Sequence, residues 1–104
     1  MPQRWSNIQF EFVSLAGDAD TNGGTVLVRD GEMVLEVECL GDRPYVIVGK
    51  AVDGFYRGFH QGQPDDAPVT AKWIRLDDIY IGTWREEGTE YLFRFRLPEE
   101  GDTP

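Results

Sequence analysis

Two basic and three aromatic residues of this chain have the side-chain types from which a small-molecule site can be built. Lys50 and Arg57 stand three residues on either side of Asp53-Gly54, so a two-residue turn there places them directly opposite each other. Like charges in that position repel, and an anionic ligand would relieve the repulsion. Aromatic rings would supply contact area and the cations would orient the ligand. We therefore predict a site for a small anionic or aromatic ligand at one end of the fold, formed by Lys50, Arg57, Tyr56, Trp73 and Trp84.

The face that carries Lys50 and Arg57 is predicted to point inward, because it also carries Val46, Val48, Phe55 and Phe59. Two alternatives to a bound anion explain the basic pair. The charged heads reach water at the mouth of the fold while their stems pack inside. Otherwise an acid such as Glu11 or Glu86 neutralises the pair, because burying both charges without partners costs several kcal/mol.

The segment DADTNG at positions 18–23 resembles the opening of an EF-hand calcium loop. In such a loop alternate oxygens ligate the ion and the glycine permits a sharp turn. The resemblance implies Asp18, Asp20 and Asn22 as metal ligands. It covers six residues only, and the twelfth position is Arg29, where the calcium loop requires a bidentate Glu. An ordinary turn, in which Asp and Asn bond their own backbone, is the alternative.

The remaining reactive residue types do not have the spacing of a catalytic centre. His60 is the only histidine, and neither serine, Ser6 or Ser14, lies in a G-x-S-x-G motif. Cys39 alternates with core positions and is expected to be a small apolar residue of the core. We therefore expect neither enzyme activity nor a bound cofactor.

Turn dipeptides divide the chain into strands that would position these residues. Asp30-Gly31, Asp53-Gly54 and Glu87-Gly88 each lie between stretches rich in Val, Ile, Phe and Tyr. Strands are predicted over 4–15, 25–29, 32–40, 45–52, 55–61, 69–76, 79–86 and 89–97, with polar loops over 16–24 and 62–68. About eight antiparallel strands joined by short turns favour an all-β, up-and-down β-barrel; a β-sandwich is the alternative. The barrel domain is predicted to span residues 1–97, and 98–104 to form a flexible acidic tail.

Two-residue turns at 77–78 and 87–88 determine which C-terminal side chains share a face. Gly82 then lies between Trp73 and Phe93. The face predicted to form the core carries Trp73, Tyr80, Trp84, Tyr91, Phe93 and Phe95. The opposite face is also partly apolar, at Ile74, Leu76, Ile79, Ile81 and Leu92. Either a loop or the N-terminal strand covers that face, or it is a partner surface such as a homodimer interface at Ile79, Ile81 and Leu92.

The charge and cysteine content narrow the classes of partner and location. The net charge of −9 would repel phosphate backbones, so we expect no nucleic-acid binding. No apolar run reaches about 18 residues, so no membrane span is predicted. One cysteine and no secretory signal favour a cytoplasmic location. The alternative to small-ligand binding is an acidic protein-interaction or inhibitor module, of immunity or antitoxin type, with a basic protein partner.

Overall fold

The computed structural model describes residues 3–38, 44–60, 69–86 and 88–98. Within these residues the chain forms eight strands and no helix. In chain order the strands are β1 (Gln3–Ser14), β2 (Ala19–Arg29), β3 (Glu32–Val37), β4 (Tyr45–Val52), β5 (Phe55–His60), β6 (Val69–Leu76), β7 (Ile79–Glu86) and β8 (Thr89–Arg96).

Each strand pairs antiparallel with the next strand along the chain, and β8 pairs with β1. The sheet therefore closes into a single barrel, which confirms the predicted up-and-down barrel and excludes the β-sandwich. Closure removes the exposed strand edges through which open sheets aggregate. We call the end of the barrel at which β1 ends and β2 begins the upper end. The opposite end, where β2 is joined to β3, is the lower end.

The Asp-Gly turns at the lower end have the backbone conformation that the sequence predicts. The φ angles are 28° and 74° at Asp30-Gly31, and 49° and 89° at Asp53-Gly54. Positive φ at both central positions is the type I′ arrangement, whose twist matches that of the strands it joins. The cross-strand registers that follow from these turns are confirmed, including Lys50 opposite Arg57.

Aromatic rings fill the interior of the barrel. The six rings predicted to share the core face do so: Trp73, Tyr80, Trp84, Tyr91, Phe93 and Phe95, of which Tyr91 is partly buried. Strand β1 adds the rings of Trp5, Phe10 and Phe12. The centroid of Phe10 lies 5.0 Å from that of Phe95, and the centroid of Phe12 lies 5.7 Å from that of Phe93. Ring pairs at these separations stabilise a core beyond the area that they bury.

Gly82 occupies the predicted place between Trp73 and Phe93. A Cβ atom at Gly82 would lie 1.8 Å from the carbonyl oxygen of Lys72. The backbones of β6 and β7 approach so closely here that no side chain fits, which is a common reason for glycine inside a strand.

The prediction of a loop over 16–24 is wrong for most of that segment, because β2 already begins at Ala19. Residues 19–24 pair with residues 8–13 of β1. Strand β1 is long, and without this pairing its polar backbone groups would lack partners on that side. The register shifts between Trp5 and Ile8, where Asn7 has a φ of 59°. That irregularity lets both apolar residues point into the barrel.

Several predictions fall on residues outside the described ranges: Cys39 in the core, the loop over 62–68 and most of the acidic tail. Pro98 is described, and its carbonyl oxygen accepts a hydrogen bond of 3.0 Å from the indole nitrogen of Trp5. Among the described residues there is no helix with the length and apolar character needed to cross a bilayer.

Candidate functional site

Lys50 and Arg57 face each other as predicted, but they lie on the outer wall of the barrel. The prediction that their face points inward is wrong. The inner face of β4 carries Tyr45, Ile47 and Gly49 instead. Both faces of β4 are apolar, so alternation alone could not identify the inner one. Gly49 identifies the inner face, because a Cβ atom at this position would lie 2.4 Å from Cη2 of the buried Trp73 ring.

The two alternatives for the basic pair are also wrong. The stems of Lys50 and Arg57 do not pack inside a barrel mouth, because both side chains are exposed on the wall. Neither proposed acid neutralises them. Glu11 is paired with Arg94 at 3.0 Å, and Glu86 faces the upper end of the barrel interior.

The five residues predicted as one ligand site are therefore divided between two faces. Tyr56 and Trp73 stack inside the barrel, with ring centroids 5.7 Å apart and an interplanar angle of 13°. Trp84 lies nearer the upper end, where it borders a cleft that Tyr56 and Trp73 do not line. The two cations lie on the opposite side of the sheet from all three rings.

The cleft at the upper end has a volume of about 960 Å³ and is the more promising site. Volumes of 300–1,000 Å³ are typical of small-molecule sites. The described apolar residues that line it include Phe12, Val37, Tyr45, Trp84 and Tyr91. The ring of Trp84 meets both Phe12 and Tyr45 edge to face, with centroid distances of 5.1 Å and 5.8 Å. These contacts join three different strands, β1, β4 and β7, so closure of the barrel brings the rings together.

A carboxylate is fixed among these rings. Glu86 accepts a hydrogen bond of 2.8 Å from the hydroxyl of Tyr45 and one of 3.1 Å from the indole nitrogen of Trp84. A carboxylate has about four lone-pair sites, so these two bonds leave capacity for a further donor. Trp84 and Glu86 are two residues apart on β7 and therefore point to the same side of the sheet.

The described residues that line the cleft also include three further acidic residues: Asp20, Glu36 and Glu38. The described residues that line it include no lysine, arginine or histidine. Asn22 is held at the rim by a hydrogen bond of 2.9 Å from its side-chain nitrogen to the carbonyl oxygen of Glu38. The described lining of the cleft therefore combines aromatic rings with negatively charged side chains, a combination that attracts cations.

The segment proposed for calcium does not form an EF-hand-like loop. Asp20 and Asn22 lie within β2, opposite Phe12 and Phe10, so the backbone there is extended rather than wrapped around an ion. Asp18 lies in the turn after β1, where its amide donates to the hydroxyl of Ser14 at 3.1 Å. Within the described ranges no group of three His, Cys, Asp or Glu side chains is arranged to hold a metal.

The predicted interface residues lie on the outer wall formed by β6, β7 and β8. Ile81 is 41% exposed and Leu92 is 52% exposed, while Ile79 is half-buried. Ile74 and Leu76 of β6 extend the apolar surface. The expectation that the N-terminal strand covers this face is wrong, because β1 pairs with the edge of β8 instead.

Sequence reasoning missed most of the cleft. Its residues are scattered over six strands and belong to no motif. The one local signal is the Trp84-x-Glu86 spacing on a predicted strand, which places an indole donor and a carboxylate side by side. The sequence matches no protein-family model and no curated protein, and the structure matches no solved structure.

Proposed function

We propose that this protein is a binding domain that holds a small organic cation in the cleft at the upper end of its barrel. The observation that carries the proposal is the Glu86 carboxylate, which Tyr45 and Trp84 fix among aromatic rings. A carboxylate already oriented by two donors does not need to be ordered when a ligand binds, which lowers the entropic cost of binding. An ammonium group could contact Glu86 and the neighbouring ring faces together.

The geometry favours a cation over the anion expected from Lys50 and Arg57. Those two side chains are on the outer wall, whereas the cleft is lined by Asp20, Glu36 and Glu38 in addition to Glu86. An anion entering the cleft would meet like charges without a compensating cation among the described lining residues. An alkylated ammonium ion, such as the head group of choline, suits the mixture of aromatic and acidic groups.

The proposal is tested by calorimetric titration and thermal unfolding of the whole chain with choline, putrescine and arginine amide. The neutral carbon analogue of choline, in which carbon replaces the nitrogen, is the matched ligand control. We expect at least one cation to bind and to raise the Tm, because a ligand that binds only the folded state stabilises it. The neutral analogue should bind at least about tenfold more weakly, a difference of about 1.4 kcal/mol.

A pair of variants locates the binding. Glu86→Gln removes the negative charge inside the cleft, and Glu90→Gln makes the same charge change on the outer wall. We expect Glu86→Gln to weaken cation binding by about tenfold or more and Glu90→Gln to leave it within about twofold. Equal binding of choline and its neutral analogue, equal effects of the two substitutions, or no binding of any of the three cations would contradict the proposal.

A second candidate function is self-association through the outer wall of β6–β8. Near Ile81 and Leu92 that wall exposes apolar side chains and carries two ion pairs, Arg94 with Glu11 and Arg96 with Asp78. The charges of these two pairs balance, so a second copy of this acidic chain could approach that part of the wall without strong repulsion. A two-fold axis would place the same surface of each copy in contact.

The oligomeric state tests this second candidate. We expect light scattering to show a dimer that Ile81→Ser and Leu92→Ser together convert to a monomer, while Val52→Ser, at an exposed apolar residue of β4, does not. A monomer at all accessible concentrations of the unsubstituted chain would refute self-association. It would leave the cation-binding proposal untouched.

A further inference from the structure

A row of basic side chains crosses the outer wall of the barrel from β4 to β6. Lys50 lies opposite Arg57, and Arg57 lies opposite Lys72. All three side chains are exposed. Neighbouring strands are about 4.8 Å apart, so the Cα atoms of the three basic residues lie within about 10 Å of one another.

The cations of this row lack the carboxylate contacts that several other basic residues of the chain make. Arg29, Arg94 and Arg96 each contact a carboxylate, at distances of 3.0 Å, 3.0 Å and 2.5 Å. Within the described part of the chain, none of the three cations in the row makes an ion pair with a carboxylate. The chain has 19 acidic and 10 basic residues, so unpaired cations are not forced by a shortage of acids.

Like charges directly opposite each other on a sheet destabilise it. The repulsion within the row therefore lowers the stability of the barrel. On β3, Glu32 lies opposite Lys50 but forms its ion pair with Arg29, and the Arg57 guanidinium lies 5.8 Å from the centroid of the Phe55 ring. A negatively charged partner outside this chain would remove the repulsion and use the charges for recognition.

A shallow groove lies beside the row of basic side chains. Thr70 and Thr83 lie between larger side chains, and with Arg57, Lys72 and Arg85 they border a volume of about 400 Å³. Phe59, which is 58% exposed, forms the apolar side of the groove. Arg85 contributes a fourth cation, and its contact with Glu90 is loose at 3.7 Å. Hydroxyl donors, cations and one exposed ring thus lie together on an open wall, with Glu90 as the one acidic residue among the described residues that line the groove.

We propose that this wall docks an extended acidic segment of a partner protein. Alternate side chains of an extended peptide are about 6.7 Å apart, so carboxylates two residues apart can each meet a different cation of the row. An apolar residue of the segment would contact Phe59. A long nucleic acid fits less well, because its many phosphates would also meet the rest of a surface whose net charge is −9. This docking surface is separate from the cation cleft at the upper end of the barrel.

The test uses the whole chain and a fluorescently labelled hexaglutamate peptide, with binding followed by fluorescence anisotropy at low ionic strength. Arg57→Gln removes the middle charge of the row. Arg4→Gln makes the same change of net charge on β1, at an exposed position in a different part of the barrel. We expect Arg57→Gln to weaken peptide binding by about two- to fivefold and Arg4→Gln to change it little. The variant lacking all three charges of the row should lose about tenfold or more.

A second readout separates docking from damage to the fold. Because Arg57→Gln relieves repulsion, it should leave the Tm unchanged or raise it slightly, and choline binding in the cleft should be unaltered. Weak peptide binding that Arg57→Gln and Arg4→Gln reduce equally would overturn the proposal, since only net charge would then matter. So would the absence of peptide binding, or tighter binding of an oligothymidylate of equal charge, which would identify a nucleic-acid surface instead.

Discussion

Replacing Glu86 by Gln should destabilise the barrel even in the absence of ligand. The carboxylate accepts two hydrogen bonds, from the Tyr45 hydroxyl and the Trp84 indole nitrogen. An amide has only one oxygen, and its nitrogen cannot accept a hydrogen bond. One of the two donors therefore loses its partner, and both lose a charged acceptor. The buried Trp84, which is 2% exposed, has less access to water than the half-buried Tyr45.

The expected magnitude follows from these contacts. A hydrogen bond to a charged group contributes about 1.5–3 kcal/mol, and part of this is recovered because the amide oxygen can still accept one bond. We therefore expect the free energy of unfolding to fall by about 1–2 kcal/mol. For a domain of this size the Tm should fall by about 5–10 °C.

Urea unfolding followed by circular dichroism at neutral pH measures this loss. A double-mutant cycle with Tyr45→Phe isolates the hydroxyl–carboxylate contact. Tyr45→Phe should destabilise the unsubstituted chain more than it destabilises the Glu86→Gln variant. Glu90→Gln, which breaks only the loose pair with Arg85, should change the free energy of unfolding by less than about 0.5 kcal/mol. Equal effects of the two Glu→Gln changes, or strict additivity in the cycle, would refute the role assigned to Glu86.

Three further predictions concern the core and the pH dependence of stability. Gly49→Ala should lower the free energy of unfolding by about 1–3 kcal/mol in urea, because its Cβ would lie 2.4 Å from Trp73 Cη2. The hydrogen bond from Arg96 lowers the pKa of Asp78, so this pair stabilises the fold above about pH 4. The stabilisation is lost as the pH falls through the folded-state pKa of Asp78, and acid-unfolding curves of the Asp78→Asn variant should not show this loss. Burial raises the pKa of Tyr80, so stability should fall as the pH rises above about 10, and Tyr80→Phe should reduce this slope in alkaline unfolding curves.

The hairpin registers could be predicted because they depend on local chemistry. An Asp-Gly pair favours a two-residue turn, and such a turn sets every cross-strand pair that follows, including Lys50 opposite Arg57. Barrel closure could also be predicted, since about eight strands joined by short turns have few other ways to bury one face.

The orientation of β4 could not be predicted in the same way. Val46 and Val48 are as apolar as Ile47, so periodicity did not distinguish inside from outside. Only the tertiary contact of Gly49 with the Trp73 ring decides it. The start of β2 was missed for a related reason. Polar and glycine residues at 18–24 are typical of turns, but pairing with a long β1 outweighs that local preference.

The cleft was beyond sequence reasoning because it forms only when the barrel closes. Closure brings Phe12 of β1, Tyr45 of β4 and Glu86 of β7 together at the upper end. These residues are separated by tens of positions in the chain, and no spacing rule connects them.

The three indole N–H groups allow a direct test of cation binding by NMR. Trp84 donates to Glu86 in the cleft, Trp73 donates to the sulfur of Met33 in the core, and Trp5 donates to the carbonyl oxygen of Pro98. Titrating the isotope-labelled protein with choline should shift the indole signal of Trp84 in a saturable manner and leave those of Trp73 and Trp5 in place. An unchanged Trp84 signal at millimolar choline, or equal shifts of all three indole signals, would contradict the assignment of the upper cleft as a cation site.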